Sequence, residues 1–321
     1  MKILTFHASG AYQYGAVDRF LSEIEKGFKE AGHEILTVDV KAPDFVAQTQ
    51  EKFAQEPAFA FAFNGAGHLL QIEGKSFFDV IGTPYFNFLL DHPAHQYSKL
   101  DGTIENEILS CVERSHVGFL DSFFGGKKSA FFLPHGGTVH HQPNDGERPI
   151  DVLFCGSGKD HETIINGIHA LPAPLIRVVD AAIEIIRASP STPPHQAIEE
   201  SCRAQYVAPP ALYRQVPLTM VVESYLRNLW RHETLDALDR AGVSVQIHGN
   251  GWEFARFENH VIKPSVDYEQ SLSLLTQAKV ALNVSPQFFS GSHERVLDAA
   301  LNGASCLTSS STFLAEVFSP D

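Results

Sequence analysis

The sequence predicts an α/β protein with two domains, each built around a mainly parallel sheet. Short apolar runs alternate with amphipathic helical segments over the first 133 residues, and the alternation restarts near residue 150. The 321 residues suffice for two domains of ordinary size, each with its own core. Strands that alternate with helices favour parallel pairing, with helices on both faces of the sheet.

The first domain is predicted at residues 1–134. Its first helix carries apolar residues at helical spacing from Val17 to Phe28 and is stopped by Gly32. The predicted strands are residues 3–7, 34–40, 58–63, 85–90, 116–120 and 130–133. The predicted helices are residues 17–31 and 45–55, one that closes at residues 77–81, and residues 104–113.

The second domain is predicted at residues 150–321, after a linker at residues 135–149 that is rich in Pro, Gly and polar residues. Residues 159–241 are predicted to be mostly helical, which makes them a helical insertion in this domain. The predicted strands are residues 150–155, 243–248, 261–263, 280–284 and 305–308.

Composition excludes several classes of protein. The net charge of −14 without a dense Lys/Arg run argues against nucleic acid or an anionic membrane as the main partner. No run of about 18 apolar residues predicts a membrane span, and no signal-peptide pattern opens the chain, so a cytoplasmic location is expected. The four cysteines are too widely spaced to indicate a metal pair or a disulfide framework.

The most informative segment is residues 289–308, where a turn of small residues around Ser292 opens a helix. A helix start suits an anionic phosphate, to which His293 and Arg295 can add donors. Asp298, one turn later on the same face as Arg295, can accept hydrogen bonds from a diol. Together these groups match the needs of a nucleotide-sugar. An ordinary amphipathic helix is the alternative.

Two glycine-containing loops follow predicted strands of the second domain. Gly156 and Ser157 could let backbone amides approach a phosphate, although a tight turn without a ligand fits equally well. The loop at residues 247–253 contains two glycines and Trp252, which could contact a base or could be buried in a turn. The residues predicted to bind the donor are Gly156, Ser157, His248, Gly249, Gly251, Trp252, Ser292, His293, Arg295 and Asp298.

A candidate general base lies at the end of a first-domain strand, in Asp91, His92 and His95. Histidine suits proton transfer near neutral pH, so His92 is the first choice, although the trio could instead cap the next helix. His135, at the presumed junction of the domains, and Gly10 and Tyr12, after the first strand, are predicted to line the acceptor side. A metal site is conceivable from His92, His95, His135, His140 and His141, but their spacing matches no recognised ligand signature, so no metal site is predicted.

These features together resemble the GT-B glycosyltransferases, and most closely the bacterial CgeB-like (spore maturation protein) group. The resemblance covers most of the chain in order, and its last segment is the most specific. It rests on residues 85–93, 132–136, 151–157, 248–252 and 294–304.

The resemblance implies two Rossmann-like domains facing a cleft, with a nucleotide-sugar on the second and an acceptor on the first. It also implies metal-independent transfer and no cofactor, with Asp298 at the position that binds the donor ribose. Ser290 stands where many such enzymes have a second acidic residue, and the sequence ends at Asp321, where they continue through more helices. A short second sheet or a truncated chain is therefore expected.

The expected function is transfer of a sugar from a UDP- or GDP-type donor to an acceptor hydroxyl. Alternatives are a non-catalytic nucleotide-sugar or glycan-binding protein and a nucleotide-sugar epimerase, which Ser290 disfavours. A nicotinamide oxidoreductase is disfavoured because no G-x-G-x-x-G follows the first strand.

Overall fold

The computed structural model is α/β, and the chain divides into two units, Met1–Pro134 and His135–Asp321. It describes residues 1–8, 13–101, 104–126, 128–142, 144, 146–206, 218–285 and 288–318. Both units contain parallel sheets, as the sequence predicts for two Rossmann-like domains. Among these residues no helix is both long and apolar enough to cross a membrane.

The first unit contains a six-stranded parallel sheet in the order β2-β1-β3-β6-β7-β8. Its strands, together with the small hairpin β4-β5, are β1 (Lys2–His7), β2 (Glu34–Asp39), β3 (Phe59–Phe63), β4 (Gln71–Ile72), β5 (Lys75–Ser76), β6 (Tyr85–Leu89), β7 (Glu107–Cys111) and β8 (Ser129–Phe132). Its α-helices are α1 (Ala16–Glu30), α2 (Phe45–Phe53), α3 (Phe77–Ile81), α4 (Tyr97–Leu100) and α5 (Arg114–Phe124), with short 3₁₀ helices at Gln13–Gly15 and Pro93–Gln96.

Two element predictions in this unit are wrong. Residues 107–111, predicted as helix, form β7, and residues 116–120, predicted as strand, lie in α5. β7 pairs with β6 and β8, and its Glu107 side chain is buried in an ion pair with Lys128 (2.7 Å). Glu113 caps α5 by accepting the Ser115 N–H. The apolar spacing fits a helix locally, but pairing on both edges of β7 overrides it.

The second unit contains a five-stranded parallel sheet in the order β11-β10-β9-β12-β13. Its strands are β9 (Ile150–Cys155), β10 (Gln246–His248), β11 (Val261–Lys263), β12 (Ala278–Asn283) and β13 (Ser305–Thr308). Its helices are α6 (His161–His169), α7 (Ala173–Ala188), α8 (Pro194–Ala204), α9 (Leu218–Arg240), α10 (Tyr268–Gln277), α11 (Glu294–Leu301) and α12 (Thr312–Val317). Helices α6 to α9 form the predicted helical insertion.

Strand order fixes where each sheet can bind a ligand. The order reverses between β1 and β3 in the first sheet and between β9 and β12 in the second. Ligands of open α/β sheets bind beyond the carboxyl ends of the strands at such a reversal. Below these ends the cores are apolar, around Phe6 and Tyr85 in the first unit and around Phe154 and Leu282 in the second.

Candidate functional site

The reversal point of the second sheet lies between the loop after β9 and the segment that joins β12 to α11. The β9 loop is fastened to the loop after β10, because Gly156 N–H donates to His248 O (2.8 Å) and Gly158 N–H donates to Asn250 O (2.9 Å). Of the two residues predicted to approach a phosphate, Gly156 and Ser157, the amide of Gly156 is therefore used within the protein.

Glycines allow this close approach of the two loops. A Cβ atom on Gly249 would collide with the Gly156 carbonyl, and one on Gly251 would collide with the Gly158 carbonyl. Gly251 also has a φ of +78°, a conformation that favours glycine. The two glycine motifs that the sequence suggested as ligand contacts thus form one double loop.

Trp252 and His248 hold the double loop in place. Trp252 is fully buried, and its indole N–H donates to Gly156 O (2.8 Å). The His248 Nδ1–H donates to Pro264 O (2.9 Å), while its Nε2 accepts from the Gln246 amide (2.9 Å). Both residues therefore have structural partners, and buried Trp252 presents no face to a base.

Helix α9 supplies two polar side chains to the loop after β9. The sequence analysis identified neither of them. Arg231 Nη1 donates to Ser157 O (2.6 Å), and the Asn228 Oδ1 accepts the Lys159 N–H (2.8 Å). The Asn228 Nδ2 is buried and has no hydrogen-bond partner among the described residues. A buried guanidinium and an amide donor thus border the carboxyl end of β9.

Arg295, in the first turn of α11, acts electrostatically on the end of β9. Burial raises the pKa of the Cys155 thiol to about 11, and the positive charge of Arg295 opposes that rise. The Arg295 Nη1 is buried without a hydrogen-bond partner within the described part of the chain. A buried donor on a cation is costly unless a ligand or water satisfies it.

The first turn of α11 carries a compact charged cluster. His293 Nδ1 lies 2.5 Å from Glu294 Oε2, and His135 Nε2 lies 3.9 Å from the same oxygen. Burial lowers the pKa of His293 to about 4. Burial alone would raise the pKa of Glu294, but the neighbouring His293, His135 and Arg295 lower it below its usual range. Glu294 is therefore ionised at neutral pH. Ser292, also predicted to bind the donor, is 1% exposed and donates to the His293 carbonyl (3.1 Å).

Asp298 holds a segment of its own unit. Its Oδ1 accepts the Thr138 N–H and its Oδ2 accepts the Tyr268 hydroxyl, both at 2.8 Å, and the side chain is buried. One turn later, Asn302 accepts the His140 N–H (2.8 Å) and donates to Thr138 O (2.9 Å). These hydrogen bonds attach residues of the predicted linker to the helix α11. Burial and the Glu294 charge raise the pKa of Asp298 to about 7.

Residues 227–321 match a family model described as glycosyl transferase-like. No curated protein matches the chain. The glycosyl transferase-like segment contains Asn228, Arg231, the double-loop residues from β10, and the whole of α11. Its match supports glycosyl transfer as the activity, which implies a sugar donor and an acceptor.

The predicted base residues lie in the first unit, outside the glycosyl transferase-like segment, at the end of β6. His92 is 3% exposed, its Nδ1 accepts the Ala94 N–H (3.1 Å), and its ring packs edge-on against Phe119. It thus caps the 3₁₀ helix at Pro93–Gln96, the alternative role given for this trio. Asp91 is exposed and accepts from the Asn64 amide (3.1 Å), while His95 is half-buried. Gly10 and Tyr12 lie outside the described residues.

A His–Glu pair that the sequence analysis missed lies at the end of β1. His7 Nε2 lies 2.9 Å from Glu25 Oε1 of α1, and that carboxylate also accepts the Thr5 hydroxyl (2.5 Å). The hydrogen bond to Glu25 raises the pKa of His7 against the effect of burial. No sequence signal marks this pair, since 18 residues separate its members and only the packing of α1 on β1 joins them.

Replacing His92 by alanine is expected to destabilise the first unit by about 1–3 kcal/mol, because a cap acceptor and a buried ring contact are lost together. Urea unfolding of the variant measures the loss. His95→Ala is the control and should unfold near the wild-type midpoint. An unchanged midpoint for His92→Ala, with lower turnover, would restore the catalytic role predicted from the sequence.

Proposed function

We propose that this chain is a glycosyltransferase that moves a sugar from a nucleoside-diphosphate donor of the UDP or GDP type to an acceptor hydroxyl. The observation that carries the proposal is that Arg231 and Asn228 hydrogen-bond to the β9 loop while the charge of Arg295 acts on Cys155 at the end of β9. All three side chains belong to the segment that matches a glycosyl transferase-like family. The donor diphosphate would lie at the carboxyl edge of the second sheet.

The chemistry of the leaving group explains why this set of residues suits the reaction. Negative charge grows on the diphosphate as the anomeric bond breaks, and preorganised cations stabilise it most effectively in a water-poor site. The guanidinium groups of Arg231 and Arg295 can supply two forked donors, and the start of α11 adds its positive dipole end. In this proposal these groups, rather than a metal ion, stabilise the leaving diphosphate.

The Asp298 role implied by the resemblance is not part of this proposal. Both carboxylate oxygens already accept hydrogen bonds from Thr138 and Tyr268. The side chain is also only 1% exposed, so in this conformation it presents no accessible oxygen to a donor ribose.

For the acceptor proton we propose His7 ahead of Asp91, His92 and His95. With its Nε2–H donated to Glu25, the neutral imidazole carries its lone pair on Nδ1, and the carboxylate orients the ring. His92 uses its Nδ1 lone pair as a cap acceptor, so it is less suited to this role.

A thermal-shift screen tests the donor proposal. UDP, GDP, dTDP and ADP and their common sugar conjugates are added to the protein in EDTA, and one nucleotide family is expected to raise the Tm, since a ligand that binds the folded state stabilises it. The shift should disappear in Arg295→Met and persist in Arg256→Met, a control on an exposed arginine of the same segment. Absence of a shift with every nucleotide would contradict the proposed donor site.

A further inference from the structure

A second cluster of ligating side chains lies in the second unit, apart from the residues proposed to hold the donor. His140, His141 and Glu269 each offer one ligand atom, and the three atoms lie within 4.8 Å of one another. His141 Nδ1 is 3.1 Å and His140 Nε2 is 3.8 Å from the same oxygen, Glu269 Oε1. Glu269 is 128 residues further along the chain than His141, so no spacing motif reveals the cluster.

The geometry points to a zinc-binding site made by His140, His141 and Glu269. Two imidazoles and one carboxylate are ligands that Zn²⁺ binds at about 2.0–2.2 Å, and two ligands of one tetrahedral ion lie about 3.3–3.5 Å apart. The two separations from Glu269 bracket that spacing, and all three ligand atoms lie within 4.8 Å of one another, so an ion would draw the side chains together. A fourth position would remain open to water on the exposed side of His141.

The surroundings of His140 favour metal binding over a simple ion pair. Its Nδ1 lies 2.9 Å from the Gln142 carbonyl oxygen and 3.3 Å from the Gln142 backbone nitrogen. The shorter contact is to an oxygen that can only accept, which fits an Nδ1–H donor and leaves the lone pair on Nε2 facing Glu269. Metal-bound histidines are usually oriented by such a hydrogen bond from the other ring nitrogen. The His140 ring is also almost fully buried, so its position is fixed before any ion arrives.

A metal ion here would fasten the start of the second unit to helix α10. His140 and His141 follow Thr138, which is held by Asp298 of α11 and by Asn302, the residue after that helix. Glu269 lies in the first turn of α10. None of the three ligands belongs to the proposed donor site, so the ion has a structural role and takes no part in sugar transfer. The proposal is therefore independent of the proposed function.

Titration of the EDTA-treated, dialysed chain with ZnCl₂ tests the site. Calorimetry is expected to show about one strong Zn²⁺ site per chain, and Zn²⁺ but not Mg²⁺ should raise the Tm. Glu269→Gln and His141→Ala should each weaken Zn²⁺ binding about 10-fold or more and abolish the Tm shift. His169→Ala, which removes an exposed histidine on α6, should bind as the wild type does.

The same variants can also disprove the zinc site. Both substituted side chains are partly exposed, so the variants are expected to fold, and their Tm without metal checks this. Zn²⁺ binding by Glu269→Gln and His141→Ala that equals wild-type binding would place the ion elsewhere and overturn the proposal. No Zn²⁺ binding by the wild type would overturn it as well.

Discussion

Arg295→Met is expected to lower turnover of the donor by about 10²–10³-fold and to weaken nucleoside-diphosphate binding. The side chain has a buried Nη1 with no hydrogen-bond partner among the described residues, and its charge acts on Cys155 at the end of β9, where the second sheet reverses its order. A leaving diphosphate is the group that would satisfy this donor. Methionine keeps the apolar stem and removes only the charged head.

Two matched variants separate the role of the charge from that of the fold. Arg295→Lys should recover part of the activity, because it restores the charge without the forked geometry. Arg256→Met should retain full activity, since Arg256 is exposed and donates only to carbonyls of its own loop. Wild-type binding and turnover in Arg295→Met, at an unchanged Tm, would remove Arg295 from the site.

Asp298→Ala is expected to lower the free energy of unfolding of the second unit by about 2–5 kcal/mol. The substitution removes the carboxylate that accepts both the Thr138 N–H and the Tyr268 hydroxyl, and a buried donor that loses its acceptor costs about 1–3 kcal/mol. Chemical unfolding followed by fluorescence measures the loss. If Asp298→Ala is as stable as the wild type but no longer binds nucleotide, the ribose-binding role implied by the resemblance is correct.

Asp298→Asn tests the charge of this residue through pH. The folded-state pKa of about 7 lies above the unfolded value of 3.8, so the folded chain holds the proton more tightly. The resulting stabilisation is present below about pH 4 and is lost as the pH rises towards 7, by at most about 1.4 kcal/mol per pH unit. Unfolding at several pH values should show wild type losing stability relative to Asp298→Asn across this window. A constant difference would mean that the pKa of Asp298 is the same in the folded and unfolded chains.

Local sequence patterns located most elements and both glycine loops, because strand ends, helix stops and turn glycines are encoded by neighbouring residues. The partners of those loops were not predictable. Gly156 and Gly249 are 93 positions apart, and only the pairing of β9 with β10 shows that they contact each other rather than a phosphate.

Tertiary contacts of helical residues explain the remaining differences between the predicted and observed site residues. The sequence places Asp298 on a helix next to Arg295, but it does not show that Thr138 and Tyr268 occupy its carboxylate. Similarly, Asn228 and Arg231 appear in the sequence as ordinary polar positions of a long helix. Their role depends on how α9 packs against the β9 loop, which is a tertiary contact.

Release of nucleoside diphosphate from the donor that the thermal-shift screen identifies tests the central claim most directly. The protein is incubated with that nucleotide-sugar in EDTA, and the nucleotide products are separated by chromatography while mass spectrometry follows the sugar. Glycosyl transfer requires nucleoside diphosphate to accumulate with the sugar moved to an acceptor or to water, and Arg295→Met should suppress both products. A donor that binds and stays intact with every acceptor offered would contradict the claim and favour a non-catalytic nucleotide-sugar-binding protein.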